Sequence, residues 1–157
     1  MQVIREASPG DVAAMAGLMA RRREEYERYQ PVFWRRAPGA ADRHAAFLAG
    51  LVGDPEVIVR VCERDGRFAG FAIASLVPSP PVYDPGGPTC TIDDYAVVDD
   101  RDWASIGVDL LRAVTDEARA RGAAQVVVVC GHADQAKREA LRLAGLSIAS
   151  EWWTAPL

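Results

Sequence analysis

The sequence predicts an α/β chain of the α+β-like kind, with a mixed, mostly antiparallel central sheet flanked by helices. Three observations point there. Apolar residues switch between alternation and helical spacing in the order β-α-α-β-β-β-α-β-α-β. Asp65-Gly66, between two strand-like runs, is a hairpin signal and makes those neighbours antiparallel. The last helices lie between strands, and a helical crossover is what a parallel pair requires. At 157 residues, half of them hydrophobic, the chain reads as one domain spanning 1–157.

Gln2 to Ala7 reads as a short strand. In Ser8-Pro9-Gly10-Asp11, Ser8 suits an N-cap, Pro9 the first helical position and Asp11 the acidic partner three residues on. Val12, Met15, Leu18 and Met19 then follow helical spacing, in a helix that stops before Pro31. After the irregular PVFWRRAPG comes a second helix, Ala40 to about Val52, with Phe47, Leu48 and Leu51 on one face. Val57–Cys62 and Phe68–Val77 form the hairpin strands. PSPPVYDPGGP is too rich in proline and glycine for a central strand. Thr89 to Val98 is the next strand, followed by a helix from about Trp103 to Arg121 that Gly122 ends. Gln125–Cys130 is apolar enough to predict burial on both faces. A helix from about Ala133 to Ala144, stopped by Gly145, and a strand from about Ser147 to Thr154 complete the pattern.

The net charge of −4 argues against a nucleic-acid partner. Arg21-Arg22-Arg23, followed by Glu24-Glu25, reads as a solvated helix face. Cys62, Cys90 and Cys130 have neither zinc spacing nor a disulfide framework. With no membrane-length apolar run and no leader pattern, the expected setting is the reducing cytoplasm, with no membrane partner and no metal.

Three stretches, IREASPGDV, TIDDYAVVDDRDWASIGVDLL and KREALRLAGL, together with the element order, resemble the GNAT superfamily of N-acetyltransferases over nearly the whole chain. The resemblance implies acetyl-CoA as co-substrate. Its pantetheine arm would lie on the strand Tyr95, Ala96, Val97, Val98, and its pyrophosphate at the loop and helix start formed by Arg101, Trp103, Ala104, Ser105, Ile106 and Gly107. Set against the family pattern Arg/Gln-x-x-Gly-x-Gly/Ala without a gap, Asp102 takes the first position and Ser105 the first glycine, and only Gly107 matches. Asp99, Asp100 and Asp102 bring negative charge to the same loop. Trp103 reads as a core wedge rather than a stacking partner. Asp134 stands where many relatives have a cofactor-contacting asparagine.

The resemblance also implies catalytic roles at Asp93 and Asp94: Asp93 as general base for an acceptor amine, Asp94 as a structural acceptor on the opposite strand face. The family's general-acid tyrosine is replaced by Leu141; Tyr83 and Tyr95 are substitutes without positional support. His132 reads as an ordinary loop histidine, Cys130 as a buried thiol, and His44 carries no assigned role. The acceptor pocket implied by the family would involve Phe33, Trp34, Arg35 and Tyr83; aromatic and arginine side chains suit a carboxylate or planar acceptor, and equally a dimer surface. The expected function is acetyl transfer to an amine of a small molecule or peptide. The alternative is a non-catalytic CoA-binding sensor or a dimerising interaction domain, with the Trp152-Trp153 pair available to a homodimer.

Overall fold

In the computed structural model, which describes residues 1–157, five strands form one sheet in the order β1-β2-β3-β4-β5. The strands are β1 (Gln2–Glu6), β2 (Val57–Arg64), β3 (Arg67–Val77), β4 (Thr89–Val97) and β5 (Gln125–Val128). The first four pair antiparallel and β4 pairs parallel with β5. The β2–β3 turn is Asp65-Gly66, both at positive φ (52° and 73°), the conformation a two-residue hairpin demands and glycine supplies without steric cost.

The helices are α1 (Val12–Tyr29), α2 (Ala40–Leu51), α3 (Val108–Ala120) and α4 (Gln135–Leu143). A 3₁₀ turn at Pro9–Asp11 starts α1. There the Asp11 carboxylate accepts from the Ser8 N–H and hydroxyl at 2.7 and 2.9 Å, and from both terminal nitrogens of Arg5 at 2.8 Å. The sheet divides the apolar interior into two clusters. Met15, Leu18 and Leu48 of α1 and α2 pack on Val59, Val61, Phe71 and Ile73. Leu110, Leu111 and Val114 of α3, with Trp103 and Ile106, pack on Ile58, Cys62, Ile92 and Tyr95. Each such side chain stabilises the fold by about 1.5–3 kcal/mol through burial alone.

Two features of β4 prepare the site. Its ladder with β5 runs only from Thr89↔Gln125 to Ile92↔Val128, closed by the Val129 N–H on the Ile92 carbonyl at 3.0 Å, after which the two strands part. Its ladder with β3 is also interrupted, Ala74 opposing Ile92 and Ala72 opposing Tyr95, so Asp93 and Asp94 occupy a β-bulge.

Several expectations need correction. Ser147 to Thr154 form no strand; Ile148, Trp152 and Trp153 are exposed, and Trp152 rests edge-on against Phe33 at 5.7 Å. That leaves β5 at the sheet edge, so it is half-exposed rather than buried on both faces. The helix expected from Trp103 starts with a π-helical turn, Trp103–Gly107, before α3 proper. Arg21-Arg22-Arg23 is not a solvated face. Only Arg21 is exposed, because α1 lies against the loop after β4 and the start of α4, which bury Arg22.

Candidate active site

The bulge brings together groups far apart in sequence. Ile92 and Tyr95 both face the α3 cluster although they are three positions apart, so simple alternation, which would set Asp93 and Asp94 on opposite faces, does not hold here. Asp94 accepts from His44 Nε2 of α2 at 3.0 Å. Arg23 Nη1 of α1 lies 2.6 Å from His44 Nδ1. An arginine only donates, so it holds Nδ1 as the acceptor and leaves the ring proton on Nε2, facing the carboxylate. Asp93 is exposed, yet its neighbours take away part of its hydration. That loss, with Asp94 beside it, raises its pKa above the ordinary value, against the opposing pull of Lys137 and His44. A carboxylate made more basic and left accessible is equipped to take a proton.

Beyond Ile92 the gap between β4 and β5 is bordered by Tyr95 and the first turn of α4. Tyr95, Ala96 and Val97 are buried and Val98 is exposed. The Tyr95 hydroxyl donates to the Gly107 carbonyl, and its ring meets Trp103 edge-on at 4.9 Å. Trp103 is core, and its Nε1 has no hydrogen-bond partner. Lys137, 3% exposed, sends Nζ to the Tyr95 carbonyl at 3.3 Å. Burial lowers its pKa. The Cys130 thiol is half-buried and its pKa is raised, again by burial.

A buried ionic network holds the same region from the α1 side. Arg22 donates to Asp134 at 2.7 Å, Asp100 at 2.9 Å and Glu25 at 2.7 Å. Asp134, 2% exposed, caps α4 through the Lys137 N–H at 3.3 Å and accepts from the Tyr26 hydroxyl at 2.7 Å. All the acceptor oxygens of Asp134 shown in contact are thus engaged by the protein itself.

The loop after β4 is also self-satisfied. The Asp99 side chain accepts from the Arg101 N–H at 2.9 Å and grips the Arg101 guanidinium at 2.6 Å, so Arg101 bends back on its own loop; this pairing holds the Asp99 pKa down at about 2. Asp102 accepts from Arg64 at 2.8 Å. Ala104 and Ser105 are exposed, and Ser105 bonds the Asp102 carbonyl; Ile106 and Gly107 are buried. A Cβ on Gly107 would lie 2.6 Å from the Trp103 ring, so this glycine serves inward packing, not outward approach to a ligand. A recess of about 380 Å³ adjoins the loop, bounded by Arg21, Arg22, Val98, Asp99 and Asp100.

A larger cleft of about 770 Å³ opens between α1, the 31–39 segment and the start of α2, lined by Arg23, Glu24, Glu27, Arg35, Arg36 and Asp42 among others. Of the aromatic residues expected there, Phe33 and Trp34 pack on each other and on Tyr26 and Trp152 instead of lining it. Tyr83 stands exposed on the 78–88 loop. His132 is exposed and meets Arg138 at 3.0 Å.

The sequence reading overlooked Arg22, Arg23, His44 and Lys137. For Lys137 a signal existed. With Ala140, Leu141 and Ala144 it completes the apolar stripe of α4 at i, i+3, i+4 and i+7, where a lysine is out of place. The His44–Asp94 pairing spans fifty positions and leaves no local trace.

An antiparallel sheet ending in one parallel strand, a bulge where that strand parts, and a helix starting just beyond define the acyl-CoA N-acyltransferase class of folds. The chain belongs to the acetyltransferase (GNAT) family, whose model matches residues 19–145. Among solved structures, a variant of the BH1408 protein from Bacillus halodurans is similar over 99% of each chain, with 18% identity and a TM-score of 0.84. A predicted acetyltransferase with acetyl-CoA from Clostridium acetobutylicum is similar over 99% of this chain and 96% of that one, at 14% identity and a TM-score of 0.74. An aminoglycoside N-acetyltransferase in complex with CoA is similar over 100% and 95%, at 14% identity and 0.73. No curated protein matches the sequence.

Proposed function

We propose that the chain transfers an acetyl group from acetyl-CoA to an amine of a small molecule or peptide, by direct attack while both are bound. The observation that carries this reading is the β4 bulge, where an accessible carboxylate of raised pKa, Asp93, borders the gap between β4 and β5. Family membership and the relatives that hold acetyl-CoA or CoA support the donor. Acetyl-CoA supplies the acyl group as a thioester: the amine forms the amide C–N bond as the C–S bond breaks, and CoA leaves as its thiolate, which takes a proton from water. Asp93 removes the proton that would leave the acceptor amine non-nucleophilic. Backbone groups of Tyr95 to Val97, with no neighbouring strand on the β5 side, bind the pantetheine arm and polarise the thioester carbonyl. Asp94, fixed by His44 and Arg23, holds the bulge in place, and the cleft that Arg23 lines admits the acceptor.

The strand edge fits the donor better than the loop does. Asp99 already occupies loop N–H capacity, and three aspartates oppose a pyrophosphate. That favours a second reading, a non-catalytic CoA-binding sensor or a dimerising domain using the exposed Trp152 and Trp153. Calorimetric titration with acetyl-CoA, followed by an amine panel, separates them. The enzyme reading expects micromolar binding, turnover, and a loss of about 10²–10⁴-fold in transfer for Asp93→Asn with affinity unchanged. Binding without turnover selects the sensor. No binding at millimolar ligand withdraws the donor altogether.

A further inference from the structure

Lys137 is the only lysine in the chain, and it is among its most buried charged residues. Lysines are almost never fully buried unless paired, yet no carboxylate lies within ion-pair distance of this one. The one hydrogen bond of Nζ goes to the Tyr95 carbonyl at 3.3 Å, and the rings of Tyr95 and Trp103 lie 5.1 and 5.6 Å from it. An ammonium has three donors, so two are served by π faces alone. The residue also sits in the first turn of α4, where the helix dipole disfavours a cation. Burial, donor count and dipole all work against the inward position, while the long stem allows the head to swing outward to water.

Resting on the acetyl-CoA reading above, we infer that Lys137 is the internal occupant of the gap between β4 and β5, holding the Tyr95 carbonyl that the donor's arm would otherwise engage, and that acetyl-CoA seats only when this side chain leaves. Lys137 thereby sets the affinity for the donor. The inward state is a closed form and the outward state the binding-competent one, and affinity is reduced by the competent fraction.

The single lysine makes the two states countable. Treated with an amine-reactive acylating label, the chain offers the Met1 amine and Lys137. After a brief exposure to the label, intact mass should show Lys137 labelled about tenfold more slowly in the free chain than with saturating desulfo-CoA, which has no thiol to take the label. Equal Lys137 labelling rates with and without desulfo-CoA, when calorimetry shows it bound, overturn the inference. In a second measurement, Lys137→Ala, which retains a good helix former, should bind CoA about tenfold tighter than the wild type, as expected if about a tenth of molecules are competent. Equal or weaker binding overturns the inference, including the case where neither protein binds, which also removes the acetyl-CoA reading. Binding by Lys137→Ala alone upholds the inference and transfers the natural chain to the non-catalytic reading.

Discussion

Replacing Arg22 with methionine tests whether the buried ionic network holds the site together. The Arg22 side chain is 8% exposed and its partner Asp134 3%, whereas Glu25 and Asp100 are 32% and 57% exposed. The two outer pairs are screened and contribute about 0–1 kcal/mol each. The inner pair decides the outcome, because methionine fills the space but leaves Asp134 a buried charge with only the Tyr26 hydroxyl and the Lys137 N–H as donors. Removing one member of a buried pair costs about 3–5 kcal/mol. For a chain of this size that lowers Tm by roughly 6–20 °C. Urea denaturation of the wild type, Arg22→Met, Asp134→Asn and the double variant measures it. The double variant should be clearly less destabilised than the two singles summed, since no charge is left stranded. A loss below about 1 kcal/mol in Arg22→Met, or strict additivity, would refute the reasoning.

Asp93 acts as a base only when ionised, and its pKa is raised. Acetyl transfer should therefore decline as pH falls through a value above that of an unperturbed aspartate, and this limb should vanish in Asp93→Asn, read from kcat/KM against pH. The same raised pKa means that folding disfavours the ionised form, so Asp93→Asn should not lower the urea midpoint at pH 7. Asp11 behaves in the opposite way. Arg5 holds its carboxyl well below the ordinary value, so its stabilisation is fully present above the unfolded pKa of about 4 and is lost progressively as pH falls from there through the much lower folded-state value. Asp11→Ala should cost about 1.5–3 kcal/mol at pH 7 and a smaller part of that near pH 2, measured by denaturant titration at both. Gly107→Ala should cost about 1–3 kcal/mol by driving a methyl into the Trp103 ring; an unchanged midpoint would show that the π-helical turn yields freely.

Much of the scaffold could be read from local chemistry. Asp65-Gly66 needs no distant partner to turn, and Pro31 ends α1 by its own geometry, so both were legible. Ser147 to Thr154 has strand-like residues, but a strand exists only against a neighbour, and Trp152 meets Phe33 instead. The arginine run reads as solvated because the carboxylates that bury it, Asp100 and Asp134, come from far along the chain. The candidate site was legible in the same partial way. Asp93 enters through the resemblance of TIDDYAVV to the family's strand, whereas the bulge depends on register with β3, which no single strand discloses.

The open edge at β5 bears on association. An unpaired strand is a template for another chain, and Val127 and Val129 beside it are more than two-fifths exposed. But Gln125–Val128 spans only four residues, about 13 Å of ladder. A second strand laid along it gains few hydrogen bonds for the freedom it gives up. A strand laid on that edge therefore draws little from the ladder itself, and the brevity of the last strand is its own guard against edge-to-edge pairing.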